Sequence, residues 1–397
     1  MRQLLRKPSL WILILMTSVG PFGDTEYAPS LPHMAKTLQT SYTAVQQTMT
    51  VYLAAYAFMQ LFYGPLSDRF GRKPIVLGGA GLFTLGSFIC YVSFSLDLLL
   101  FGRFLQGLGA CAGAIISSAA VRDSFPKETI DTVYAKINAA FALSPAAGPI
   151  VGAFVADRFG WHANMLILFV LGIFLIAALA LYFPETHLPD KSRRLNVADL
   201  FLTYQTLFRQ KKFLPSVFIN AVAIGAVYTS LTEGPALVTE TFGLTSKWFA
   251  LVAFLVLTAF SLGSFLSIWL ERSLHPQRII PWGLICIFAG GAWLSVLWFI
   301  HIFTLATVMP AIMLAYVGIA LVVPNAMAVA MRPFSAIAGA ASAMAGFVQM
   351  FIASVAIAGT SLLPNGPVYA LGVAFSILGL LGFAAFRLGF RKRAEAG

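Results

Sequence analysis

Runs of about twenty apolar residues recur along the whole chain, and each is long enough to cross a lipid bilayer. They predict twelve membrane-spanning helices, at residues 9–33, 44–66, 75–95, 98–120, 131–157, 162–183, 213–238, 246–270, 278–300, 303–330, 334–363 and 366–387. Only 10% of the residues are charged, whereas a soluble protein carries about 25%. The sequence therefore predicts an all-α polytopic membrane protein, whose first apolar run is a retained helix and not a cleaved signal peptide.

The formal net charge of +11 is distributed by a rule. Lys and Arg are concentrated at residues 2–7, 69–73, 122–136, 191–212, 272–278, 332 and 387–393. The intervening loops hold only Lys36, Arg158 and Lys247. Basic residues in alternate loops predict that both termini are cytoplasmic, in the cell inner membrane. Because the excess charge orients the chain in the bilayer, it requires no nucleic acid partner.

The longest polar stretch divides the chain nearly in half. It predicts an N-terminal six-helix bundle at 1–183, a cytoplasmic linker at 184–212 and a C-terminal six-helix bundle with a short basic tail at 213–397. The two halves repeat. Aligned on Pro8 and Pro215, they place Glu26 opposite Glu233. Twelve helices arranged in this way can enclose their own pathway, so a monomer suffices.

Two acidic residues, Asp24 and Glu26, lie within the first predicted span, in the segment GPFGDTEYAPSLP. Residues two apart point about 200° away from each other on a regular helix. Both acids therefore face one cavity only if the helix is distorted, and the neighbouring glycines and prolines predict such a distortion. Otherwise one acid lines the cavity and the other faces a neighbouring helix, or both lie at the outer rim of the membrane.

An arginine, Arg103, lies in the fourth predicted span, with Gln106 one turn further along. A buried guanidinium keeps its charge and must meet an acid, carbonyl groups or water. The predicted partners are Asp24 and Glu26. The alternative is that Arg103 reaches outward from the end of its helix.

Two further motifs indicate a chain that changes conformation. The stretch GPLSDRFGRKP, at 64–74, supplies a charge relay that can lock one conformation and break in another. Its residues are Gly64, Asp68, Arg69, Gly71, Arg72 and Lys73, and a degraded copy, SIWLERSLHPQR, follows at 267–278. The stretch SPAAGPIVGAF, at 144–154, predicts a bendable helix with a groove for a neighbour, formed by Pro145, Gly148, Pro149 and Gly152.

These motifs resemble those of the major facilitator superfamily, specifically its drug:proton antiporters with twelve helices. SDRFGRKP is similar to the cytoplasmic loop motif, RFLQGLGA to the arginine motif of the fourth helix, and SPAAGPIVGAF to the antiporter motif of the fifth. YAPSLP, VRDSFPKE, FGWH and PNAMAVAM resemble the bicyclomycin/chloramphenicol exporter branch, Bcr/CflA. The resemblance covers essentially the whole chain.

The resemblance implies a major facilitator fold and proton-driven efflux of amphipathic small molecules by alternating access, which would confer multidrug resistance. It implies that Arg103 takes part in proton coupling and that Asp68, Arg69 and Arg72 form a conformational latch. The branch places its first-helix acid where this chain has Thr25, and here Asp24 and Glu26 flank that position. We expect one of them to bind a proton and a cationic or polar substrate group in competition, with Glu26 favoured because Glu233 lies opposite it.

Polar and amphipathic residues inside the spans are candidates for lining the cavity with apolar neighbours. They are Tyr27, Tyr56, Gln60, Gln106, Asn138, Asn220, Tyr228, Asn325 and Gln349. The three cysteines match no metal-ligand spacing, and no phosphate-binding loop or nucleophile–base pair is present. The sequence therefore predicts a transporter that is not an enzyme and needs no cofactor or metal, since the proton gradient supplies the energy. The alternatives are a dedicated exporter of a siderophore, peptide or polyamine, a proton-coupled importer, and a membrane scaffold or sensor.

Overall fold

The computed structural model describes residues 7–187, 197–210, 213–244, 248–334, 338–363 and 365–390. Within these ranges the regular secondary structure is entirely helical. The chain divides into two compact units, Met1–Val197 and Ala198–Gly397.

The helices of the first unit follow the predicted spans closely. They are α1 (Leu10–Thr25), a 3₁₀ turn (Ala28–Ser30), α2 (Leu31–Thr37), α3 (Tyr42–Phe70), α4 (Arg72–Tyr91), α5 (Leu96–Ser124), α6 (Lys127–Phe159) and α7 (Trp161–Tyr182). The second unit holds most of a short helix, α8 (Val197–Phe208), and then α9 (Phe213–Ala236), a π-helical turn (Leu237–Thr241), α10 (Trp248–Glu271), α11 (Pro276–Phe299), α12 (Leu305–Met331), α13 (Ala338–Thr360) and α14 (Pro367–Phe390).

Nine helices in the described part of the chain are long and apolar enough to cross a membrane. These are α4, α5, α7 and the long helices from α9 to α14. The other three predicted spans, the first, second and fifth, also coincide with helices, namely α1, α3 and α6. These three are not among the nine for simple reasons. The helix α1 has only 16 residues and is followed by a 3₁₀ turn, and α3 and α6 carry more polar residues. The chain is a multi-pass membrane protein.

The first helix ends just where the acidic residues lie. Pro29 and Pro32 have no N–H to donate to the carbonyls of Thr25 and Ala28, so a regular helix cannot continue through this stretch. The chain instead tightens into the 3₁₀ turn Ala28–Ser30 and then resumes as α2. The predicted distortion beside Asp24 and Glu26 is confirmed.

The core of the first unit depends on close approach of helices to α5. Cβ atoms at Gly107, Gly109 and Gly113 would lie 2.3, 2.3 and 2.0 Å from the carbonyl oxygens of Tyr52, Gly79 and Met16, respectively. These three oxygens belong to α3, α4 and α1. Only glycine fits at such contacts, and α5 is thereby held firmly enough to position Arg103.

In the second unit, α9, α11, α12 and α14 bury a continuous apolar core that includes Ile219, Ile287, Ile312 and Phe375. The described part of α8 contributes a fully buried side chain, Leu207.

Candidate functional site

The two acidic side chains of the first helix are both buried, with 3% of Asp24 and 0% of Glu26 exposed. Asp24 interacts electrostatically with Tyr52 and Tyr56 of α3, and Glu26 interacts with Arg103 of α5. Arg103 also lies over the ring of Tyr52, so the two carboxyl groups are linked to one cluster around Arg103.

Neither carboxyl oxygen of Glu26 has a hydrogen-bond partner among the residues that the structure describes. An ionised carboxylate removed from water without hydrogen bonds is strongly unfavourable. The side chain therefore needs either a proton of its own or a positively charged or hydrogen-bonding group brought to it. This makes Glu26 chemically distinct from Glu185, which accepts hydrogen bonds from several backbone N–H groups.

The guanidinium of Arg103 is completely buried and lies between two aromatic rings. Its Cζ atom is 4.1 Å from the ring centroid of Tyr27 and 4.1 Å from that of Tyr52. Cation–π contacts of this kind contribute about 2 kcal/mol or more when they are desolvated. The two rings thus stabilise a charge that would otherwise be unfavourable within the protein.

Hydrogen bonds fix the orientation of this arrangement. Arg103 Nη1 donates to Gly23 O at 3.3 Å and also to Gln106 Oε1. Gln106 Nε2 in turn donates to Ser87 Oγ at 2.7 Å. Among the described residues, Arg103 Nε and Nη2 have no hydrogen-bond partner. The N–H groups of these two nitrogens are therefore available to interact with Glu26, on which Arg103 acts electrostatically.

The rings themselves are anchored to their surroundings. The Tyr27 hydroxyl lies 3.1 Å from Thr48 Oγ1, and the Tyr52 hydroxyl donates to Gly20 O at 3.1 Å. The sequence predicted acids, carbonyls or water as partners of Arg103. The tyrosine pair was missed, although the polar aromatic residues in the first two spans are the signal that could have indicated it.

The predicted antiporter helix, α6, packs directly against the acidic segment. A Cβ atom at Gly148 would lie 2.2 Å from Thr25 Oγ1, and one at Gly152 would lie 1.5 Å from the carbonyl oxygen of Glu26. Pro149 is buried on the same helix, and the side chain of Pro145 lies outside the described part. The two glycines therefore form a groove that seats the backbone of Thr25 and Glu26.

A fully buried asparagine, Asn164 of α7, joins the two sides of this groove. Its Nδ2 donates to Gly152 O at 3.2 Å and to Ser30 Oγ at 2.7 Å. Sequence reasoning did not single out Asn164. It ties the turn that follows Glu26 to the glycine that seats Glu26.

The predicted latch residues assemble at the junction of α3 and α4. Arg72 Nη1 is 2.6 Å from Asp68 Oδ1, and Arg72 Nε is 3.0 Å from Asp123 Oδ2. Glu185 accepts hydrogen bonds from the backbone N–H groups of Arg72 and Lys73, at 2.8 and 3.1 Å. Asp123 and Glu185 were missed as latch members, because they lie far away in the sequence, in the last turn of α5 and after α7.

The remaining latch residues have different positions. Lys73 Nζ donates to Ala180 O at 2.8 Å, and the Arg69 guanidinium lies 5.2 Å from the ring centroid of Phe70. Gly71 has a φ of +95°, which a side chain would strain, and it forms the tight link between the two helices. The small size of Gly64 predicts close helix approach, and this prediction is wrong for the part of the chain that the structure describes, because a Cβ atom at Gly64 would meet none of its atoms within 4 Å.

In the second unit the structure brings together two of the cavity candidates. Asn220 Nδ2 donates to Val323 O at 2.7 Å, and Gln349 Nε2 donates to Asn220 Oδ1. Asn325 lies elsewhere, where its Nδ2 donates to Ser267 Oγ at 2.8 Å. Glu233 is buried, with 4% exposed.

The other candidates differ in their exposure. Tyr56 is buried, Gln60 and Tyr228 are half-buried, and Asn138 is exposed on α6. Within the described residues, no group of three or more His, Cys, Asp or Glu side chains could hold a metal ion.

Comparisons with known proteins agree with this fold. Residues 10–360 match the Major Facilitator Superfamily. The chain is 27% identical over 374 residues to Multidrug resistance protein D of Escherichia coli (strain K12), covering 94% of this chain and 93% of that protein. It is 30% identical over 380 residues to the Chloramphenicol resistance protein of Pseudomonas aeruginosa, covering 91% and 87%. A solved POT family transporter, in complex with a thioalcohol conjugated peptide, covers 94% of each chain with a TM-score of 0.73 and 14% identity, and this likeness concerns the fold alone.

The chain belongs to the Major Facilitator Superfamily. The predicted fold class and the resemblance to the bicyclomycin/chloramphenicol branch are thereby confirmed.

Proposed function

We propose that this protein exports small drug-like or amphipathic molecules in exchange for protons, with Glu26 as the residue that carries the proton. One observation carries the proposal: Glu26 is fully buried, neither of its oxygens has a hydrogen-bond partner in the described part of the chain, and it lies in the field of Arg103. The names of the relatives, which refer to multidrug and chloramphenicol resistance, support export as the direction.

The coupling follows from competition for one carboxyl group. When Glu26 is protonated, it is neutral and suits its buried place. When a substrate brings a cationic or hydrogen-bonding group, the proton leaves and the substrate group takes over the carboxylate. Arg103 assists the exchange, because the N–H groups of its Nε and Nη2, which have no partner among the described residues, can compensate Glu26 while it is ionised. When the site faces the cytoplasm the substrate displaces the proton, and when it faces the outside a proton displaces the substrate, so the two are exchanged.

The environment proposed for this activity is the inner membrane, with both termini cytoplasmic and the chain acting as a monomer. The alternation of basic residues along the sequence supports this orientation. In this orientation the charge cluster of Asp68, Arg72 and Asp123 lies at the cytoplasmic side, where its ion pairs would stabilise one conformation of the transport cycle.

Transport in proteoliposomes tests the proposal. Purified protein would be reconstituted, and a proton gradient imposed, with chloramphenicol as a neutral probe and ethidium as a cationic one. In vesicles whose lumen corresponds to the outside of the cell, at least one probe is expected to accumulate in the lumen while protons leave it. If dissipating the gradient leaves the accumulation of both probes unchanged, the proposal is wrong.

The arginine sandwich leads to a first specific prediction. Lysine at position 103 is expected to lower proton-driven transport by about tenfold, because an ammonium on a flexible stem cannot stack on two rings and bond Gln106 at once. The matched control is Arg387→Lys, since Arg387 is exposed and lies over a single ring, that of Phe383. Equal transport rates for the two variants, measured in proteoliposomes at equal protein content, would refute the role given to the tyrosine pair.

A further inference from the structure

A large open cavity lies in the second unit. Its volume is about 1170 Å³. It is formed by the last residues of α10, the start of α11 and the end of α12. The polar side chains that line it include Glu271, Arg272, His275, Gln277 and Arg332. The predicted orientation puts this cavity at the cytoplasmic end of the unit.

The positive charges in this cavity are not balanced by the described part of the chain. The ion pairs among the described residues all lie in the first unit, where Asp123 pairs with Arg72 and His187, and Asp68 pairs with Arg72. None involves Arg272 or Arg332. Arg332 Nη1 instead faces the imidazole Nε2 of His275 at 3.4 Å.

The acidic residue of the cavity is directed elsewhere. Glu271 Oε1 accepts a hydrogen bond from Ser267 Oγ at 2.9 Å. Ser267 Oγ also accepts one from Asn325 Nδ2, at 2.8 Å. The carboxylate is therefore held in a network with α12, and within the described residues it forms no ion pair with either arginine.

The internal repeat shows what is missing. In the aligned stretches GPLSDRFGRKP and SIWLERSLHPQR, His275 stands at the position of Arg72. In the first unit, Asp123 at the end of α5 neutralises Arg72 at 3.0 Å. Helix α5, the fourth long helix of its unit, holds Asp123 in its last turn, whereas the last turn of α12, the fourth long helix of the second unit, holds no acidic residue and is followed by Arg332. The second unit therefore lacks, at this point, the anion that the first unit has.

The N-terminus of α11, at this cavity, also lacks the carboxylate that the matching helix of the first unit has. In the first unit the carboxylate of Glu185 caps the N-terminus of α4, accepting two backbone N–H groups. At the N-terminus of α11 the corresponding cap is the imidazole of His275, whose Nδ1 accepts the Gln277 N–H at 3.4 Å, a long contact. The positive end of a helix dipole favours an anion, and here it adds to the two arginines.

Exposed aromatic side chains indicate the level of the cavity in the membrane. Trp269, near the end of α10, is 64% exposed, and Trp282, in the second turn of α11, is 62% exposed. Tryptophan is enriched where the hydrocarbon meets the lipid headgroups. Arg272, three residues after Trp269, is therefore expected at the depth of the headgroup phosphates.

We propose that this cavity binds a phosphate-class anion, held by Arg272, Arg332 and the N-terminus of α11. The anion supplies the negative charge that Asp123 and Glu185 supply in the first unit. Its source is either the headgroup of an anionic phospholipid or a soluble phosphate, and the experiment separates the two.

The test uses the full-length protein purified in detergent. Native mass spectrometry measures the bound fraction of dioleoylphosphatidylglycerol and of dioleoylphosphatidylcholine, and thermal unfolding compares sodium phosphate with sodium chloride at equal ionic strength. Arg332→Gln is expected to weaken binding of the anionic ligand about fivefold, the effect of one basic residue at a membrane surface. Arg332→Lys is expected to retain most of the binding, and Arg387→Gln, which removes an arginine outside the cavity, is expected to retain all of it.

Loss of phosphatidylglycerol in Arg332→Gln but not in Arg387→Gln supports the site with a lipid as its ligand. Stabilisation by phosphate that Arg332→Gln removes, without selective lipid binding, supports the site with a soluble anion. Equal binding of both lipids to every variant, together with no phosphate effect, overturns the proposal. A low yield of Arg332→Gln does not prevent the test, because Arg272→Gln removes the second cation from the same cavity.

Discussion

Replacing Glu26 by glutamine is expected to abolish proton-driven export and to leave the protein folded. Glutamine has nearly the same volume as a protonated glutamate, so it fits the buried site that the neutral acid occupies. It cannot release a proton, so the substrate has no proton to displace. Accumulation of probe in proteoliposomes under a proton gradient should fall to the level of protein-free vesicles, while exchange of probe at equal pH on both sides should continue.

Two other carboxylates provide the comparison. Asp97→Asn removes an exposed acid from the first turn of α5, the helix that carries Arg103, and should leave coupling intact. Asp24→Asn removes the second buried acid, which interacts electrostatically with Tyr52 and Tyr56. If Asp24→Asn abolishes coupling and Glu26→Gln does not, the proton carrier has been assigned to the wrong acid.

Alanine at position 152 is expected to disrupt the site through its methyl group alone. The Cβ atom would lie 1.5 Å from the carbonyl oxygen of Glu26, which is backbone and cannot rotate away. The helices must then separate, at a cost of about 3 kcal/mol or more, the upper range for overpacking. The contact from Asn164 Nδ2 to Gly152 O would be lost with this shift. We expect a lower melting temperature in detergent and loss of transport.

The matched control is Gly81→Ala on α4, where a Cβ atom would meet no atom of the described residues within 4 Å. Alanine is favoured over glycine within a helix by about 1 kcal/mol, so this variant should be as stable as the wild type or more stable. If Gly152→Ala has the same melting temperature and transport rate as Gly81→Ala, the groove does not position Glu26 and the packing of α6 against it does not contribute to function.

The sequence could predict the fold in most respects, because a bilayer imposes a simple rule on chain composition. An apolar run long enough to cross it must be helical, so all the predicted spans coincide with helices. The break after Thr25 was also predictable, since Pro29 and Pro32 cannot donate helical hydrogen bonds. The extent of the break was not, because the chain tightens into a 3₁₀ turn and resumes as α2.

The site was predictable residue by residue but not as a set of contacts. A charged residue in an apolar span has to be compensated, and this drew attention to Arg103, Asp24 and Glu26. The charge of Arg103 is stabilised by the rings of Tyr27 and Tyr52. No spacing rule in a single sequence relates a ring on one helix to a guanidinium on another. The same holds for Asp123 and Glu185, which join the latch from positions 51 and 113 residues away from Arg72.

Proton release on substrate binding tests the central claim most directly. Purified protein in weakly buffered detergent would be mixed with chloramphenicol or ethidium while the pH is recorded, for wild type, Glu26→Gln and Asp24→Asn. The account predicts that a bound probe releases protons from wild type and from Asp24→Asn, and none from Glu26→Gln. Probe binding to wild type without any proton release, or release that persists in Glu26→Gln, would contradict it.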